Sequence, residues 1–222
     1  KMFWFECIGM FVFVFLQSCV KQPIGIHLQI TLILAMAIPM CIKISGAHYN
    51  PAVTVSNFLC RYNKAYFSYD ILWMYFKAQL YAATFALGLS YILNNHFLAS
   101  LALHPNKYHL VGYFSVIVGH SSAGILYSAS CKQLDTFTNN DGQKYFFIIA
   151  FVFFARRSAH VSSFAINPAI TIGTVVLAVL TCNFSYVNIC TIYLAGDFLG
   201  SIFGTLVYNK FYVPSLEAAR QS

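Results

Sequence analysis

The sequence predicts an all-α membrane protein with six transmembrane helices plus two re-entrant half-helices, arranged as an inverted repeat. Three observations carry this reading. Of 222 residues, 59% are hydrophobic and only 9% are charged, against roughly 25% charged in a soluble domain. Apolar runs near the ~20 residues that cross a bilayer recur along the chain. Asn-Pro-Ala occurs twice in matched apolar settings, within SGAHYNPAVT (45–54) and SSFAINPAIT (162–171).

The elements follow in order. Residues 2–20 and 24–42 read as the first two spans. The first reads as a span rather than a cleavable signal, because Phe3 to Val20 is too long for a signal's apolar core and lacks a cleavage site. The first Asn-Pro-Ala segment follows, and 69–93 is the third span. The stretch NNHFLASLALHPNKYH is richer in Asn, His and Pro and contains a connector at 96–109. Spans at 110–130 and 145–160 are joined by the polar turn CKQLDTFTNNDGQK, and the second Asn-Pro-Ala precedes a last span at 185–209. The whole chain is one membrane domain, with a first repeat at 1–95 and a second at 110–222. Three spans per half is an odd number, so the halves lie in opposite orientations and place the functional site at their interface near the midplane.

Charge and cysteine content narrow the function. The formal charge is +7, but it is distributed as the positive-inside rule requires. With a cytoplasmic N-terminus, Lys1, Lys43, Arg61, Lys64, Lys132, Lys144, Lys210 and Arg220 fall inside. Lys21, Lys107, Arg156 and Arg157 fall outside. The C-terminus is then cytoplasmic too. No basic stripe with stacking aromatics points to nucleic acid. The seven cysteines lie in or beside spans without metal-ligand spacing, and their odd number argues against a simple disulfide framework. The six acidic residues are dispersed, with no HExxH, phosphate loop or Ser/His/Asp arrangement. No enzyme, cofactor or metal is expected.

Asn-Pro-Ala carries the physical argument for a pore. Asn is a favoured helix N-cap, and Pro suits the first helical position, where its missing N–H costs nothing. Pro51 to Arg61 makes a helix of about 16 Å, half a bilayer. Such a segment is re-entrant, and irregular backbone at that depth belongs inside protein or beside a wet cavity. Two inverted half-helices meet N-terminus to N-terminus, and their dipoles place roughly half a positive charge each at the junction, which disfavours cations. The carboxamide N–H groups of Asn50 and Asn167 are expected to be free for a passing oxygen atom.

On these motifs the chain resembles the aquaporins, the major intrinsic protein family. SGAHYNPAVT is close to the family's first signature. ECIGMFVFVF (6–15) resembles its first span with the buried Glu6, KAQLYAA (77–83) its third with Gln79, and YLAGDFLGSIFGTLVY (193–208) its sixth. The resemblance implies a homotetramer in the lipid bilayer, with one pore per subunit passing water or small neutral solutes such as glycerol. Pro51, Ala52, Pro168 and Ala169 complete the two pore motifs, and His48 resembles a family histidine at the cytoplasmic pore entrance or holds its loop.

The chain also departs from the family. The four outer-filter positions map to Ile30, Ala155, Phe164 and Ile170, all apolar. The arginine expected at 170 is absent, as in the unorthodox superaquaporin branch. The fourth span carries His120, Ser121 and Ser122 where a second buried glutamate is expected, and the sixth carries Asp197 where a proline follows glycine. Arg156 and Arg157 lie at the outer mouth, either as interface anchors or as a replacement charge. The alternative function is a poorly conducting structural or junctional subunit that keeps the fold.

Overall fold

The computed structural model describes residues 1–19, 26–59, 67–94, 150, 166–184 and 187–221. The helices are α1 (Met2–Cys19), α2 (Ile26–Ser45), α3 (Pro51–Leu59), α4 (Tyr69–Asn94), α5 (Pro168–Leu180) and α6 (Val187–Val207). A π-helical turn, Tyr208–Tyr212, then leads into α7 (Val213–Gln221). Among the described residues every regular element is helical. The expected spans at 110–130 and 145–160 lie outside the described residues apart from residue 150.

The helices at Met2–Cys19, Leu28–Ser45 and Cys190–Ala219 are long and apolar enough to cross a membrane. With 26 residues, α4 reaches the same length despite Asp70, Lys77 and Gln79. Trp4, Met36, Phe85, Ile92 and Leu180 are each more than half exposed. That many large apolar side chains facing outward suits lipid and not water.

Helix faces are set by the 3.6-residue period. In α1 the buried positions are Glu6, Gly9, Met10, Phe13, Val14 and Gln17, three or four apart. In α4 they are largely small, including Ala78, Ala82, Ala83 and Ala86. Small residues allow close backbone approach, the main route to helix packing inside lipid, and α1 lies against both α4 and α2.

Each half-helix is clasped by the long final helix of the other repeat. The second half-helix, α5, packs on α4. There a Cβ on Gly173 would come within 3.0 Å of Leu87 Cδ1 and 3.3 Å of the Thr84 nitrogen, so glycine sets the closeness of approach. The first half-helix, α3, packs on α6. A buried polar ladder joins that pair: the Ser201 hydroxyl donates to the Ala52 carbonyl, and Ser56 Oγ lies 2.7 Å from Thr205 Oγ1. Interhelical hydroxyl bonds of this kind satisfy polar groups where water is absent.

Candidate functional site

The site is built where the two half-helices begin. Asn167 caps α5 in an extended conformation, with φ −154° and ψ 105°, and its side chain accepts from the Ala169 N–H at 3.1 Å. Asn50 does the same for α3, accepting from the Ala52 N–H at 2.9 Å. Pro51 and Pro168 open the helices, so both Asn-Pro-Ala motifs are helix starts as their local chemistry dictates. The first half-helix is described from Pro51 to Leu59, and the rest of the expected stretch to Arg61 lies outside the described residues.

The carboxamides correct one expectation, because neither is wholly free. Asn50 Nδ2 donates to the Ile166 carbonyl at 2.7 Å, and Asn167 Nδ2 donates to the Tyr49 carbonyl at 2.7 Å. Each asparagine therefore reaches across to the residue preceding the other one, and the two motifs are tied reciprocally. An amide nitrogen carries two hydrogens, so each retains one further N–H beyond this tie.

The loop ahead of Asn50 is held by side chains from three helices. Gly46, Ala47 and Tyr49 have φ of 81°, 48° and 48°. That left-handed backbone is routine for glycine and uncommon for the other two. Glu6, fully buried on α1, accepts from the Tyr49 N–H at 2.5 Å and from Gln79 Nε2 at 2.8 Å. Gln79 on α4 also donates to Thr54 Oγ1 at 2.9 Å, and Thr54 bonds the Asn50 carbonyl at 3.1 Å. The Tyr75 hydroxyl donates to the Ser45 carbonyl, and the Tyr49 hydroxyl to the Ala37 carbonyl of α2 at 2.9 Å. Glu6 and Gln79 thus act together on one loop.

His48 has both ring nitrogens engaged with the first half-helix. Nδ1 lies 3.2 Å from Thr54 Oγ1 and Nε2 lies 3.1 Å from Asn57 Nδ2. Its ring stacks on Tyr75 at 4.6 Å between centroids. This is the arrangement of a residue that holds its loop, though it is still half-exposed. Because Asn57 Nδ2 donates, Nε2 accepts and the Nδ1 proton faces Thr54, a tautomer assigned from these partners.

Of the four positions expected to form the outer filter, Ile30 and Ile170 are 0% and 1% exposed and belong to one apolar cluster. Ala155, Phe164, Arg156 and Arg157 lie outside the described residues, as do His120, Ser121 and Ser122. Asp197 is fully buried on α6, so it faces protein and not lipid.

Sequence reasoning missed Tyr49 and Gly9. A Cβ on Gly9 would lie 2.0 Å from the Tyr49 hydroxyl oxygen and 2.2 Å from Cζ, so the ring occupies the notch that this glycine leaves in α1. It also missed the Ser201/Thr205 ladder. Two hydroxyls four residues apart on an apolar helix were the available signal.

The family model for major intrinsic proteins matches residues 1–120. A comparison with curated protein sequences returns no match. Among solved structures, the X-ray structure of the aquaglyceroporin from Plasmodium falciparum is similar over 97% of this chain and 98% of that one, with TM-score 0.69 and 18% identity. At that identity the likeness establishes the fold alone. Family match, fold and paired Asn-Pro-Ala motifs agree: the chain belongs to the major intrinsic protein family, integral membrane channels for water and small solutes, and is not an enzyme.

Proposed function

We propose that the chain is a passive channel for water and small neutral solutes such as glycerol, with Asn50 and Asn167 orienting the solute. The observation that carries this is the reciprocal pair of 2.7 Å bonds joining the two half-helix starts. They hold two helix N-termini and two asparagine amides at one point, where partial positive charge repels cations and the remaining N–H groups suit a neutral oxygen. Pore diameter, hydrogen-bonding groups and half-helix dipoles are the general determinants of aquaporin-type selectivity. The aquaglyceroporin likeness of the fold is in keeping with glycerol as a solute. A homotetramer with cytoplasmic termini fits the apolar outer faces and the inward bias of Lys and Arg.

A second reading, a poorly conducting structural subunit, is favoured by one observation. Ile30 and Ile170 are buried within one apolar cluster, at 0% and 1% exposure, and offer no polar surface there. Stopped-flow shrinkage of proteoliposomes, run beside glycerol uptake, separates the two. The channel reading expects flux well above empty vesicles; flux equal to empty vesicles from folded protein would transfer the assignment to the structural role.

The filter charge has its own test. Arg156→Ala and Arg157→Ala are expected to leave proton leak unchanged, as befits interface anchors. A rise in either variant would make that arginine the replacement for the missing filter charge instead.

A further inference from the structure

The geometry points to Tyr49 as the positioning residue that sets the gap between the two half-helix starts, and hence the size of solute passed; this rests on the channel reading above. Tyr49 is 1% exposed and is gripped at three polar points on three different elements. Its N–H donates to Glu6 on α1 at 2.5 Å, and its hydroxyl donates to the Ala37 carbonyl of α2 at 2.9 Å. Its carbonyl accepts from Asn167, the cap of α5, at 2.7 Å. The ring itself fills the notch left by Gly9, where a Cβ would be 2.0 Å from its oxygen.

A rigid aromatic ring bonded at its far end to α2 works as a strut. One end is the Ala37 carbonyl, and the other is the backbone carbonyl that holds the Asn167 amide. The residue takes φ 48°, a conformation that bulky side chains avoid. Interactions that outweigh this strain come from Glu6, Ala37 and the Gly9 notch, so the backbone is shaped by its surroundings. With the far bond removed, the carbonyl relaxes away from Asn167 and the junction widens, favouring the larger solute.

Tyr49→Phe keeps the ring and loses only that far bond. The expected result is a folded channel whose glycerol-to-water permeability ratio rises about two- to tenfold, the weight of one buried neutral hydrogen bond. The ratio is independent of how many channels are folded, so a general loss of stability does not move it. An unchanged ratio overturns the assignment. Should wild type pass neither solute, the channel reading itself fails, and the linkage is then read from the side-chain amide resonance of Asn167 in the detergent-solubilised full chain. That resonance is identified by its loss in Asn167→Asp. A shift in Tyr49→Phe upholds the strut, and an unmoved resonance overturns it. Tyr49→Met, an adaptable chain of adequate length, supplies the same readings if the phenylalanine variant is not recovered.

Discussion

Asn167→Asp is expected to reduce water and glycerol flux to the level of empty vesicles while leaving the helices formed. Aspartate matches asparagine in shape and is an equally good N-cap, so α5 keeps its bond from the Ala169 N–H. The loss is on the other atom. Asn167 Nδ2 donates to the Tyr49 carbonyl at 2.7 Å. A carboxylate places an oxygen against that carbonyl, with two acceptors facing each other and no proton between them. The residue is only 4% exposed, and burying a charge without a partner is costly. The new negative charge also cancels the roughly half-unit positive ends of the two helix dipoles. Loss of neutral flux with a helical spectrum close to wild type is the expected set. Water flux as fast as wild type would remove Asn167 from the conducting junction.

Gly9→Ala is expected to be the more damaging substitution for folding. Alanine in a helix normally gains about 0.8–1 kcal/mol over glycine. Here its methyl group would stand 2.0 Å from the Tyr49 oxygen and 2.3 Å from Cε1. The ring has no easy retreat, since its hydroxyl is bonded to Ala37 and its backbone N–H to Glu6. Overpacking of this kind costs about 1–3 kcal/mol and sometimes more, and the displaced ring also carries the Tyr49 carbonyl away from Asn167. A lowered melting temperature and poor recovery of monodisperse protein are the outcome to look for. Tyr49→Leu in the same chain removes the collision and is expected to restore part of the lost stability. A single Gly9→Ala variant as stable as wild type would show that the notch is not needed.

What could be read from the sequence was local. Spans expected at 2–20, 24–42, 69–93 and 185–209 are helices at Met2–Cys19, Ile26–Ser45, Tyr69–Asn94 and Val187–Val207. Runs of apolar residues of bilayer length dictate them wherever they occur. Asn followed by Pro likewise announces a helix start through capping alone. The pairing of the carboxamides was not legible, because Asn50 and Ile166 are 116 residues apart and no local rule brings them together. His48 was ambiguous for a different reason: its partners Thr54 and Asn57, 6 and 9 residues on, become neighbours only once α3 is formed. Tyr49 looked like one more aromatic among fifteen tyrosines. Its importance comes from Gly9, whose absent side chain is informative only when something else is seen to fill the space.

The crossed clasp between repeats bears on how the chain assembles. Helix α3 is made well before α6, which carries its polar ladder partners, Ser201 and Thr205. Until then Ser56 and the Ala52 carbonyl lack those bonds, and Asn50 has no Ile166 to hold. The first half must therefore wait, partly inserted, for the second. The two repeats are similar modules, but the exchange of partners makes each one the other's template, and neither can close alone.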